Sequence, residues 1–172
     1  MPNINELTFQ PGFIINQEFF DYATMQESVE NWLFLSKYRL GTGPFYGYHT
    51  NIQLNNLQFG YADHHEGLMF EGLSPKDCLT IGIFQKSTDT VCVNTLKMEQ
   101  GDIVIIDDSK PYNFVSSHRT LLAIISISKS LVATSIPWLL SATEKKFTDK
   151  DNILSDTIEN EWRRATEEPN LF

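Results

Sequence analysis

MEQGDIVIIDDSKP, Met98–Pro111, is the stretch from which the fold follows. A glycine–aspartate turn launches four apolar β-formers, Ile103, Val104, Ile105 and Ile106. The polar run Asp107-Asp108-Ser109-Lys110, with Pro111, stops them. Gly101 supplies the backbone freedom that a tight turn needs, and Pro111 has no N–H to give to a ladder, so the strand ends there. Alone, the segment spells a buried strand. Its flanks make it one strand of a small β-barrel.

Outward from this strand the β pattern runs from Tyr38 to His118. The periodicity predicts strands at Tyr46–Leu54, Leu57–Ala62, Gly67–Leu73, Leu79–Gln85, Thr90–Met98, Asp102–Asp107 and Tyr112–Val115, and another at Leu121–Ser126. Turn chemistry separates them at Asn55-Asn56, Asp63–Glu66, Ser74-Pro75-Lys76-Asp77, Lys86–Asp89 and Glu99–Asp102. Short strands at regular spacing with no helices between them indicate an antiparallel sandwich or barrel and exclude a βαβ fold.

Helical periods flank the β region. Phe13–Phe20 reads as extended. Asp21–Leu35 reads as a helix, with capping-box spacing at Thr24 and Glu27 and a packing stripe of Tyr22, Met25, Val29, Trp32 and Leu33. After the barrel, Lys129–Ser135 forms a short helix before Pro137, and Ser141–Asp151 is a polar loop. Leu154, Ile158, Trp162 and Ala165 then recur at three- and four-residue steps in an amphipathic helix, Asn152–Thr166, which Glu167-Glu168-Pro169 stops. The expected divisions are 1–36, an extension with a helix; 37–137, the barrel; and 138–172, a linker and C-terminal helix.

The chain of 172 residues, 41% hydrophobic and 20% charged, suits one globular domain. Its formal charge of −9 repels phosphate backbones, so the chain alone is not expected to bind DNA. No apolar run reaches the roughly 18–20 residues of a membrane span, and the amino terminus lacks the pattern of a signal peptide. The expected location is therefore the cytoplasm. Cys78 and Cys92 are too few for a disulfide scaffold or a cysteine zinc site and read as two buried thiols within strands.

Three segments, after a leading helix, resemble in order the amino-terminal, effector-sensing domain of AraC-type transcription regulators. They are LGTGPFYGYHTNIQLNNLQFGYA (Leu40–Ala62), QGDIVIIDDSKPYNF (Gln100–Phe114) and LLAIISISKSLVATSIP (Leu121–Pro137). The resemblance covers nearly the whole chain. It implies a mainly β fold, the cupin-like double-stranded β-helix, with an interior that holds a small ligand and C-terminal helices that pair two subunits. In such regulators a pair of helix-turn-helix units reads DNA. No basic recognition helix appears here, so the chain is either the sensing half of a longer protein or a stand-alone relative.

The histidines His49, His64, His65 and His118 invite a metal reading. Metal-binding cupins resemble one another in a histidine-x-histidine step, a nearby glutamate and a later histidine. Here His64 and His65 are adjacent, so a regular strand sends them to opposite faces. Glu66 and Glu71 are present, but Gly101–Phe114 holds no histidine. Asp63-His64-His65-Glu66 therefore reads as a solvated turn, and neither a metal nor another cofactor is expected. Nor does a catalytic set emerge. Neither cysteine has an obvious histidine neighbour, no serine sits in a G-x-S-x-G turn, and Gly41-Thr42-Gly43-Pro44 lacks the ending of a phosphate loop. Asp107-Asp108 reads as a solvated strand end.

The candidate ligand-binding residues are the interleaved aromatics Phe45, Tyr46, Tyr48, Phe59, Tyr61 and Phe70, since one alternating set in a barrel faces the interior. Arg39, which otherwise reads as a surface residue, joins them as a cation for a carboxylate. The face Leu154, Ile158, Trp162 and Ala165 needs burial, and Trp162 is the type of side chain that anchors interfaces. A homodimer is expected through it. Two rival readings remain beside a sensing module: a small metal-dependent cupin-type enzyme, and a ligand-free interaction domain.

Overall fold

The Gly101 turn and the strand it launches lie where the sequence puts them. Gly101 sits at φ 82°, its N–H donates to the Phe84 carbonyl at 2.7 Å, and the Asp102 carboxylate accepts the Glu99 N–H at 2.7 Å. The computed structural model describes residues 12–27, 33–54, 56–87, 90–143, 145–149, 156, 157 and 160. In chain order these form β1 (Gly12–Phe19), α1 (Tyr22–Glu27), β2 (Leu33–Arg39), β3 (Gly47–Leu54), β4 (Leu57–His64), β5 (Leu68–Leu73) and β6 (Cys78–Ser87). There follow β7 (Val91–Val93), β8 (Leu96–Met98), β9 (Asp102–Asp107), β10 (Tyr112–Ser116), β11 (Thr120–Ser128), α2 (Lys129–Ser135), a 3-10 turn (Pro137–Ser141) and β12 (Lys146–Thr148).

Two antiparallel sheets result, in the orders β1-β3-β4-β11-β6-β9-β12 and β2-β5-β10-β7-β8. They close face to face on one core. Phe84, Val104 and Leu122 of the larger sheet meet Val91, Val93, Met98, Tyr112 and Phe114 of the smaller. The outer face of the larger sheet is apolar too. Leu79, Ile105 and Ile127 on it lie under Val132 of α2 and Leu139 of the 3-10 turn. This is the mainly β architecture of two antiparallel sheets that the sequence predicts.

The structure corrects several local expectations. The helix expected over Asp21–Leu35 is the six-residue α1, and Leu33–Leu35 belong instead to β2, which pairs with β5 from Leu33↔Leu73 to Arg39↔Leu68. The cap is Asp21, whose carboxylate accepts the Thr24 N–H at 2.9 Å, a turn earlier than the Thr24–Glu27 box. The open edge of β5 offers β2 a full ladder of backbone partners, and this outweighs a helical stripe. Val29 and Trp32 of that stripe lie outside the described residues.

Thr90–Met98 is not one strand but the hairpin β7–β8, turned at Asn94, which adopts φ 53°. The expected loop Ser141–Asp151 contains the 3-10 turn's end and β12, which pairs with β9 through Phe147↔Ile103. β1 and β2 are edge members of the two sheets, joined through α1. Cys78 is buried, whereas Cys92 is half-buried. The dimer-interface residues Leu154, Ile158, Trp162 and Ala165 lie outside the described residues.

Candidate ligand site in the barrel interior

Register decides which side chains enter the barrel. β11 lies between β4 and β6, with Ile124 opposite Gly60 and Gly82 and with Leu122 opposite Ala62 and Phe84. The even-numbered positions of these strands share the inner face. Between the sheets they and the smaller sheet leave a cavity of about 50 Å³, lined by Phe70, Phe84, Tyr112, Phe114, Leu122 and Ile124 among others. Phe70 stacks on Phe114 at 4.6 Å between centroids and meets Tyr112 edge-on at 5.9 Å. Burial raises the Tyr112 phenol far above its ordinary range, so it is a neutral hydroxyl at any physiological pH.

Outside this cavity a second, larger cleft of about 280 Å³ opens between the β7–β8 turn and the β9–β10 turn, bordered by Asn94, Thr95, Asp107, Lys110 and Pro111. Val104, Ile106 and Tyr112 line both spaces. The cleft's lips are fixed. Asn94 Oδ1 accepts the Asn113 N–H at 2.8 Å, while the Asn94 N–H donates to the Asn113 carbonyl at 2.7 Å. On the opposite lip Lys129, the first residue of α2, donates to Asp107 at 3.0 Å and also pairs with Asp108. Asp108 further accepts the Asp77 N–H at 2.6 Å. Asp107-Asp108 is thus a half-buried clamp on α2 and not a freely solvated strand end.

Of the seven ligand candidates read from the sequence, only Phe70 lines the interior cavity. Phe45 is buried with Phe19, Met25 and Leu68 in a separate cluster. Tyr46 and Tyr48 turn their hydroxyls to β1, donating to Glu18 at 3.1 Å and Asn16 at 2.7 Å. Phe59 and Tyr61 pack against the outer-face cluster of Ile83 and Ala123. Small and polar side chains therefore take the inner row of β4, namely Gln58, Gly60, Ala62 and His64. The aromatics go outward because that outer face is itself apolar. Arg39 holds Glu66 through Nε–Oε2 at 2.5 Å and Nη2–Oε1 at 2.7 Å, donates to the Gly43 carbonyl, and lies 5.7 Å from the Phe45 ring centroid. It is a paired structural cation.

The segment Asp63–Glu66 is not a solvated turn. Glu66 is taken by Arg39, and Asp63 accepts two bonds from Arg119, at 3.0 and 2.5 Å. His65 lies at the surface beside Asp63 and Tyr46. His64 ends β4 inside the barrel, 6% exposed, where its Nε2 lies 2.7 Å from Nε2 of His49. Burial pushes its pKa down to about 4. Extending the β4 alternation two residues, through the supposed turn, is the signal that finds this histidine. Among the described residues no three His, Cys, Asp or Glu side chains group as a metal centre. Within them no helix is long and apolar enough to cross a membrane.

Compared with models of known protein families and with curated proteins, the sequence matches none. Its fold has likenesses among solved structures. The crystal structure of the AraC-like transcriptional activator CuxR superposes with a TM-score of 0.64 at 14% identity, over 92% of this chain and 63% of that one. A cupin superfamily protein from Desulfitobacterium hafniense gives 0.41 at 12% identity, over 48% of this chain and 77% of that one. The cupin domain of Schizosaccharomyces pombe Cnp3 gives 0.41 at 10% identity, over 70% and 90%. The likeness to the activator establishes a shared fold, and this chain spans 63% of that activator's length.

Proposed function

We propose that the chain is the noncatalytic, small-molecule-sensing and dimerisation domain of a cytoplasmic AraC-type transcription regulator. The observation that carries this reading is the pairing of an aromatic cavity with an outer cleft through Val104, Ile106 and Tyr112, in a fold shared with an AraC-like activator. Apolar walls with a few polar groups at the mouth are the usual build of a small-ligand site. Phe70, Tyr112 and Phe114 suit an apolar or aromatic body, and the polar lips at Asn94 and Thr95 suit a hydrogen-bonding end. A cavity of about 50 Å³ holds little more than a water molecule or two. The effector therefore occupies the cleft and reaches inward by moving Tyr112. DNA reading in this account belongs to a separate basic unit, because a formal charge of −9 repels phosphate backbones.

Thermal-shift screening against small acids, fatty acids and aromatic metabolites tests the reading. A ligand bound only by the folded state at 100 times its Kd adds about 2.7 kcal/mol. That corresponds to about 5–10 °C for a domain of this size. Failure of every class to shift the melting temperature would leave a filled barrel and an interaction domain. Near-stoichiometric iron, manganese, zinc or nickel in the purified protein would instead favour a metal-dependent enzyme.

A further inference from the structure

The interior cavity has a polar corner, and the strand register explains where it lies. Thr80, Gly82 and Phe84 are alternate residues of β6, and all three line the cavity. Apart from its chain neighbours, a Cβ on Gly82 would meet just one atom within 4 Å, Val104 Cγ1 at 3.3 Å. The space beside Thr80 is therefore open. In the ladder Thr80 stands between Ser126 of β11 and Ile106 of β9, and Ile106 borders both the cavity and the outer cleft. A molecule reaching inward past Ile106 arrives at Thr80.

Thr80 and Ser126 are each 1% exposed, and their hydroxyl oxygens lie 2.9 Å apart. Among the described residues neither hydroxyl has a second partner. Two hydroxyls carry two protons, and the bond between them uses one. When Ser126 donates to Thr80, the Thr80 proton is left over, and Thr80 is the member of the pair that lines the cavity. A buried donor without an acceptor is costly. A ligand that enters here must supply an acceptor, or reproduce the bond that a water would make.

We propose that Thr80, backed by Ser126, is the specificity-determining contact of the effector site, and that the effector is an uncharged aromatic carbonyl compound whose carbonyl oxygen accepts the Thr80 proton. The inference rests on the sensing reading and names the ligand class for it. Three observations select the class. The spare group is a donor, and a carbonyl is an acceptor only. None of the residues lining the cavity is charged, so a carboxylate or ammonium brought there exchanges its hydration for a hydroxyl. The walls formed by Phe70, Tyr112 and Phe114 are aromatic, and they offer a ring the offset and edge-on contacts it prefers.

The test uses three probes of nearly equal shape: acetophenone, benzoate, and α-methylstyrene, in which a methylene replaces the carbonyl oxygen. Affinities come from methyl NMR titration of the full chain, and infrared difference spectroscopy reads the carbonyl stretch of bound, isotope-labelled acetophenone. Acetophenone is expected to bind at least about tenfold more tightly than either other probe. Thr80→Val, which keeps the shape and lacks the hydroxyl, should abolish the preference over α-methylstyrene and raise the stretching frequency. Thr80→Ser should restore both. Ser126→Ala leaves the Thr80 proton in place and should weaken acetophenone less than Thr80→Val does. Equal affinity for ketone and olefin, tighter binding of benzoate, or a stretch unchanged between wild type and Thr80→Val would overturn the proposal. Binding of none of the probes overturns it too, while a melting-temperature shift with any other screened compound keeps the sensing reading. If Thr80→Val does not fold, a wild-type stretch equal to that of acetophenone in hexane overturns it equally.

Discussion

At the residue scale, Asp102 shows how a position that reads as a plain turn residue anchors the barrel. Its side chain is 3% exposed, yet it accepts Lys146 Nζ at 2.9 Å, Thr148 Oγ1 at 2.8 Å and the Glu99 N–H at 2.7 Å. Burial alone would raise the carboxyl pKa, but these hydrogen bonds and the Lys146 charge bring the net shift below the ordinary value. Folding thus favours the ionised form. The stability it contributes is complete above the ordinary carboxylate range and is lost as pH falls through the depressed folded value. Asp102→Asn is expected to cost about 1–3 kcal/mol at pH 7, with the gap to wild type narrowing as pH falls through the depressed folded value. Urea unfolding across an acid pH series measures it. The sequence predicts the Gly101–Asp102 turn but not this anchoring role, because Lys146 and Thr148 arrive from 44 and 46 residues away. His64 was illegible for a related reason. Its neighbours Asp63, His65 and Glu66 are polar and read as a turn, but each has a partner that lets the strand run on.

At the element scale, segments whose local signals and tertiary setting agree are legible. β9 and α2 have the bounds the sequence predicts, Asp102–Asp107 and Lys129–Ser135. Disagreement marks the rest. Leu33–Leu35 fits a helical stripe and an apolar strand equally well, and only the free edge of β5 decides between them. The β7–β8 hairpin hides in an unbroken run of β-formers because its one turn signal is Asn94. Asn94 combines φ 53° with a clasp on Asn113. Asn94→Ala should therefore destabilise by about 1–2 kcal/mol, from left-handed strain and a lost hydrogen bond. Asn94→Gly, free of the strain, should recover part of that loss. Equal costs for the two variants in denaturant melts would show that the side-chain bond alone holds the turn. Because Asn94 lines the outer cleft, both variants should also weaken effector binding.

For the whole molecule, the fold was readable from strand spacing and turn chemistry, and the ligand site only in part. Alternation says that every second residue faces inward but not which set. The usual preference for apolar residues inside points Phe59 and Tyr61 to the interior. The larger sheet is apolar on both faces, with Ile81, Ile103 and Ile125 on its outer side, so that preference loses its force. Assembly is a prediction at this scale. Replacing Ile158 and Trp162 together by charged residues should turn a homodimer into a folded monomer in light scattering. Wild type that is already monomeric at tens of micromolar, an association of about −6 kcal/mol or weaker, would mean that the C-terminal face has no partner subunit. The central claim, an effector held between the cleft and the cavity, is tested most directly by methyl NMR of isoleucine, leucine and valine during the ligand screen. Chemical-shift changes confined to Val93, Leu96, Val104, Ile105, Ile106, Leu122 and Ile124 are predicted for a ligand that raises the melting temperature. Shifts concentrated on methyls remote from both spaces, or none with any stabilising ligand, would contradict it.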